Sequence, residues 1–208
     1  MVKIAIFYHI YQSGKWKEIF KEQFGLIESS GLYDAADHIH FGINGPMKFN
    51  YPKVGCVIND NKHMEETETL KSLLEFSEGN PGYKVLYIHT KGATKNLKPV
   101  DDWRKMMNHF VIKNWKSCLN LLEDNDAVGC NYSEETFLGR YPHFSGNFWW
   151  STTDYIKTLN HDYLKSDRRW DREFWIGTGS GKLLELHNSG VDHYHYEYPE
   201  NFYRERDD

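Results

Sequence analysis

Four short apolar runs, each closed by turn residues, constrain this chain more than any other feature of its sequence. Val2–Tyr11, His38–Ile43, Val54–Ile58 and Tyr83–His89 are rich in β-branched and aromatic residues, as buried strands are. Between the first two, Lys15–Ser30 carries Trp16, Ile19, Phe20, Phe24 and Ile27 at helical spacing, and Gly31 follows as a C-terminal glycine should. Asn59-Asp60-Asn61 is placed to cap a second helix running to about Phe76. The order β-α-β-β-α-β opens a wound α/β sheet. Beyond Pro99, Asp101 is placed to cap a long helix to about Glu123, with Trp103, Met106, Met107, Phe110, Val111, Cys118 and Leu122 in one stripe. Ala127–Cys130 reads as one more strand. From Tyr141 onward aromatics, glycines and histidines crowd together, with no linker or repeat, so residues 1–208 read as one domain with a loop-rich second half.

The 208 residues give room for one α/β core. A formal charge of -5 excludes the basic face of a nucleic-acid binder, and no apolar run is long enough to span a bilayer. The start of the chain lacks a signal-peptide pattern. Cys56, Cys118 and Cys130 are too scattered for a disulfide framework or a zinc clip and read as reduced core thiols of a cytoplasmic protein. Aromatic residues make up 16% of a chain whose mean hydropathy is -0.72. Some rings therefore sit in polar surroundings, either as sugar platforms or as partners of a core poor in aliphatics.

In open α/β sheets ligands bind at the carboxyl ends of the strands. That rule selects Tyr8–Tyr11, Gly42–Gly45 with Asn44, and above all His89-Thr90-Lys91-Gly92. The last places an imidazole, a hydroxyl, a cation and a flexible turn together, a set suited to phosphate and metal. The chain has no P-loop, and Gly177-Thr178-Gly179-Ser180-Gly181 is neither a dinucleotide fingerprint nor a nucleophile elbow. Two His-x-His pairs, His38/His40 and His193/His195, would each share a face if extended. The first reads better as the polar face of an edge strand. Asp124-Asn125-Asp126 precedes its strand and reads as a solvated turn. Asp171-Arg172-Glu173 sets acids beside aromatics in the loop-rich half.

Four blocks carry a family resemblance: Phe7–Tyr11, Tyr87–Gly92, Asp102-Trp103-Arg104, and His143-Phe144-Ser145-Gly146-Asn147-Phe148-Trp149-Trp150. They resemble the small GT-A-type glycosyltransferases encoded by chlorella viruses, and the match runs from the first strand to Ile176. The Ser-Gly-Asn-Phe-Trp-Trp block is its most specific part. The resemblance implies a single-domain α/β fold with a Rossmann-like nucleotide-binding, mixed central β-sheet flanked by helices. Its donor would be a UDP-sugar, with Mn²⁺ or Mg²⁺ bridging the diphosphate and a glycan or glycoprotein as acceptor. The virus enzymes decorate capsid protein in the host-cell cytoplasm. The sequence departs from the family where GT-A enzymes carry a metal-binding Asp-x-Asp, for it has His89-Thr90-Lys91 there. Either His89 ligates the metal, or an acid comes from elsewhere, or Lys91 neutralises the diphosphate directly.

On that resemblance residues 1–130 form the donor half and 131–208 the acceptor and metal half. Phe7, Tyr8, His9 and Tyr11 are expected to anchor uridine, with Asn44, Thr90, Lys91 and Gly92 completing the donor site. His89, His193 and His195 are the expected metal ligands. Arg104, Gly146, Asn147, Trp149 and Trp150 are expected to touch sugars, although adjacent Trp residues on a strand face opposite ways and one of them suffices. Glu173 is the expected base of an inverting transfer, and Asp102 the second choice or else a helix cap partnered by Arg104. Two other classes stay open: a metal-dependent hydrolase built on the His-x-His pairs, and a catalytically silent nucleotide-sugar-binding module.

Overall fold

A computed structural model describes residues 2–47, 49–59, 66–134, 141–168 and 170–204. The elements run β1 (Lys3–Tyr11), α1 (Trp16–Ser29), α2 (Leu32–Ala35), β2 (His38–Asn44), β3 (Val54–Asn59), α3 (Thr67–Gly79) and β4 (Tyr83–His89). Then come α4 (Lys98–Asn108), a π-helical turn (His109–Lys113), α5 (Trp115–Leu121), β5 (Ala127–Cys130), β6 (Tyr132–Ser133) and β7 (His143–Phe144). Last are β8 (Trp149–Thr152), α6 (Thr153–Ile156), α7 (Asp171–Phe174) and β9 (Leu183–His187), with short 3-10 turns between and after them.

One seven-stranded sheet, in the order β3-β2-β1-β4-β8-β5-β9, takes strands from both halves of the chain. The first four pair in parallel, and β8 runs antiparallel to both β4 and β5. The expected mixed sheet flanked by helices is therefore the observed fold. Alternation along β1 separates two cores. Ile4, Ile6, Tyr8 and Ile10 enter the layer containing α1 and α4, while Ala5 and Phe7 enter the layer containing α3. Trp150 and Trp149 divide in the same way. No helix among the described residues is long and apolar enough to cross a membrane.

The first helix ends as expected, with Gly31 in the left-handed conformation at φ 76°. The expected cap Asn59-Asp60-Asn61 lies largely outside the described residues, and α3 begins only at Thr67. The long helix is corrected twice. It starts at Lys98 with Pro99 in its first turn, so Asp101 lies inside the helix and pairs with Lys15 and Arg104. It is also interrupted by the π turn. Cys56 is exposed, contrary to expectation, because β3 is an edge strand, whereas Cys118 and Cys130 are buried. β2 is not an edge: His38 and His40 stack beside Phe7 and Phe76, and burial, then His38, push His40 down to about 4. They form part of an aromatic layer.

Close approach of α3 to β2 depends on Gly42. A Cβ there would stand 1.8 Å from Thr69 Oγ1. Gly42→Ala is expected to destabilise the protein by about 1–3 kcal/mol, the usual range for overpacking. Adding Thr69→Ala should restore part of that loss, and chemical denaturation of the single and double variants checks it.

Candidate functional site

The chain winds outward from β1 through β2 to β3, then returns to β4 on the other side of β1. The crevice between the carboxyl ends of β1 and β4 is thus a topological switch point, where open sheets bind ligands. A cleft opens there, lined by His9, Tyr11, Glu66, His89, Thr90, Lys91, Gly92, Lys95 and Tyr194 among others. His9 and His89 are register partners on the neighbouring strands. Thr90 Oγ1 accepts from Tyr11 N at 2.9 Å, tying the two strand ends together.

Glu66 is the centre of the site. It sits just before α3, and its Oε2 accepts from Tyr87 OH at 2.6 Å and from Asn147 Nδ2 at 2.7 Å. Burial by itself would raise its pKa, but His89, His9 and these two hydrogen bonds outweigh burial and hold the carboxyl below its ordinary value. Asn147 is fixed in turn by Trp149 Nε1, which donates to its Oδ1 at 2.8 Å, and by a left-handed backbone at φ 57°. His9 shares a hydrogen bond with Thr69 Oγ1 at 2.9 Å, and burial pushes its imidazole down to about 4 against the pull of Glu66. His89 is also lowered, by burial first, with Glu66 opposing. Its Nε2 lies 2.9 Å from Gly146 O. A carbonyl only accepts, so Nε2 carries the proton and Nδ1 of the neutral ring keeps its lone pair. Glu173 Oε1 accepts from Gly146 N at 2.6 Å, so Glu173 holds the residue whose carbonyl orients His89.

The cationic wall is the turn Thr90–Lys95. Lys15 N donates to Ala93 O at 2.9 Å, and Arg104 Nη1 donates to Lys91 O at 3.2 Å. Arg104 is itself buried and held by both oxygens of Glu22 and by Asp101. The Lys91 ammonium lies 3.7 Å from the ring centroid of Trp103, and His193 stacks parallel on that ring. A side groove lined by Trp103, Asn131, Tyr132, Ser145, His193 and Tyr194 adjoins the cleft through Tyr194.

His9, Tyr11, His89, Thr90, Lys91 and Gly92 therefore come together, and Gly146 and Asn147 meet them from the β8 side. Asn44 lies in a small recess beside His9 and Thr69. Other expectations are corrected. Phe7 and Tyr8 are 1% and 0% exposed, so neither ring can stack on a base, and Tyr8 OH donates to Gln23 within the core. Trp149 and Trp150 are both fully buried, so neither presents a ring face to a ligand; Trp149 orients Asn147 instead. Arg104 positions the turn from behind. Asp102 is buried on Lys98 Nζ and Tyr198 N, outside the cleft lining. His193 and His195 lie in a turn and not on a strand: His193 Nε2 is 2.7 Å from Ser189 Oγ, while exposed His195 pairs with Asp192. With His89 they form no ligand set, and among the described residues no three His, Cys, Asp or Glu are placed to hold a metal.

Sequence reasoning missed Glu66, Thr69 and Tyr194. Glu66 stands in the acidic run Glu65-Glu66-Thr67-Glu68, which reads as an ordinary helix start. Its one signal was position: it follows the carboxyl end of a strand.

The fold and cleft define an α/β protein with a polar, titratable site at its switch point. Residues 7–197 match the family described as "Domain of unknown function (DUF8361)", and the chain belongs to it. No curated protein matches the chain. Among solved structures it is similar to a 4-diphosphocytidyl-2C-methyl-D-erythritol synthase, with 13% identity over 89% of this chain and 88% of that one and a TM-score of 0.43. It is also similar to the bifunctional IspDF of Campylobacter jejuni, with 12% identity, 89% and 49% coverage and a TM-score of 0.47, so it spans about half of that chain.

His9 stays neutral in the folded protein down to about pH 4, whereas its unfolded value is 6.5. Its folded pKa is depressed, so the unfolded state takes the proton first, and stability falls as pH drops from 6.5 towards 4. The slope contributed is about 1.4 kcal/mol per pH unit for one such proton. His9→Gln should remove one proton's worth of slope between pH 6.5 and 5, above the range where Glu66 titrates; urea denaturation at several pH values measures it.

Proposed function

We propose that this protein transfers a sugar from a UDP-sugar to the hydroxyl of a glycan acceptor. The observation that carries this reading is the opposition of two walls at the switch point. On one side is a half-buried, ionised Glu66; on the other, the Thr90–Lys95 turn with Lys91, Lys95 and the Thr90 hydroxyl. Glycosyl transfer to an oxygen needs both: a base for the acceptor hydroxyl and positive charge for the departing diphosphate.

In this reading the diphosphate lies along Thr90–Lys95. Glu66 takes the acceptor's proton, the acceptor oxygen bonds to the anomeric carbon, and the bond from that carbon to the diphosphate oxygen breaks. UDP leaves, and the anomeric configuration inverts. Tyr87 and Asn147 aim the carboxylate. Glu173, through Gly146, keeps the His89 proton on Nε2 and so becomes a positioning residue rather than the base. The histidine triad expected for Mn²⁺ or Mg²⁺ does not fit a metal, because the three residues lie in separate places and form no ligand cluster among the described residues. A cation brought in by the diphosphate would meet Glu66 and the Nδ1 lone pair of His89 among the described residues, and no step above passes through it. The glycan acceptor and the likeness to the virus enzymes come from the four-block sequence resemblance, and the cleft supplies a base and cations suited to such a transfer.

Glu66→Gln keeps the shape and removes the base. It is expected to lower transfer by about 10²–10⁴-fold while UDP affinity stays within a few-fold of the parent. Lys91→Ala is expected to weaken UDP by roughly tenfold, the loss of one charged hydrogen bond. Calorimetry with UDP, run with Mn²⁺ and with EDTA, and turnover with UDP-sugars provide the readings. Full turnover by Glu66→Gln excludes Glu66 as base, and no UDP binding in either metal state sinks the nucleotide reading.

A further inference from the structure

Behind the cleft, between α1 and the junction of α4 with the π turn, lies a second cavity of about 290 Å³. Its walls are Glu22, Gly25, Leu26, Lys105, His109, Lys113, Glu200 and Arg204. The carboxylates of this set are already engaged: Glu22 by Arg104 and Asn108, Glu200 by Arg204 at 2.9 Å. Lys105 and Lys113 pair with no carboxylate among the described residues. The cavity is left with two uncompensated ammonium groups and an imidazole.

The imidazole adds an unmet donor. Asn114 Nδ2 can only donate, so its 3.3 Å contact makes His109 Nε2 an acceptor and puts the ring proton on Nδ1. That Nδ1 has no hydrogen-bond partner and is closed off from solvent, so it lies in the wall behind the cavity and does not open into it. Burial, then Lys113 and Arg204, also hold this imidazole below its ordinary value, so the local field is positive.

The π turn explains how these groups meet. In a regular α-helix of 3.6 residues per turn, positions i and i+8 are about 80° apart, so Lys105 and Lys113 would diverge around the axis. The i→i+5 turn over His109–Lys113 takes up an extra residue and brings Lys113 back towards the line of Lys105 and His109. Such turns are rare and occur often at functional sites. Gly25 contributes no side chain on the facing helix, and Leu26 gives an apolar wall.

We infer that this rear cavity is a binding site for a small phosphate-bearing anion, held by Lys105 and Lys113 with the His109 ring in its wall. It is separate from the switch-point cleft but joined to it, because Glu22 holds Arg104 and Arg104 holds the Lys91 carbonyl.

The test uses inorganic phosphate as probe, by calorimetry on the full chain. The expected result is saturable binding with a phase that weakens at least tenfold in Lys105→Gln/Lys113→Gln. The His109 ring resonances should move along the same saturation curve, a reading that does not depend on the variants folding. Glucose 1-phosphate in parallel tells a phosphate monoester from free phosphate, and the tighter of the two names the source. Absence of saturable binding overturns the inference. So does binding untouched by the lysine pair or silent at His109.

Discussion

A carboxylate drawn partly out of water must be given hydrogen bonds in return, and much of this structure can be understood as meeting that demand at Glu66. Tyr87 and Asn147 donate to one of its oxygens, and the two histidines at the ends of β1 and β4 face it. Each of those donors has requirements of its own. Asn147 needs a left-handed backbone and the Trp149 indole; Trp149 needs full burial in the α3-side core. The most specific sequence block of the chain is thus explained by one acid lying some eighty positions away from it, a residue that block does not contain.

The same logic assigns the apparently spare residues. Arg104, Glu22, Asp101 and Lys15 form a chain of ion pairs that fixes the turn after β4 without entering the cleft. Glu173 works at one remove, through Gly146. Charged residues near a site divide into those that meet a ligand and those that hold the backbone that does, and distance from the cleft lining separates them here.

Much of the fold was legible because its signals are local. Trp16, Ile19, Phe20, Phe24 and Ile27 at helical spacing can hardly form anything else, and Gly31 stops them. The carboxyl-end rule likewise found His9, His89, Thr90 and Lys91. What escaped was set by tertiary contact. Aromatic identity does not say whether a ring is a platform or a wall, so the sequence offers Tyr8 and one of Trp149 and Trp150 as ligand contacts, and all three are core. His-x-His spacing implies a shared face only on a strand, and His193 and His195 lie in a turn. Glu66 was invisible because an acid before a helix is ordinary; only folding brings Tyr87 and Asn147 to it.

The reversed direction of β8 has a consequence for assembly. Because it runs against its neighbours, the residues entering it, not those leaving it, arrive at the carboxyl edge of the parallel strands, which is how Gly146 and Asn147 reach the cleft. A slip of β8 by a single position would exchange Trp149 and Trp150 between the two cores and turn Asn147 away from Glu66. Packing would fail on both faces at the moment the acid lost its shell. Strand register is therefore one variable shared by folding and by the site, and a chain that folds with the wrong register cannot be half active.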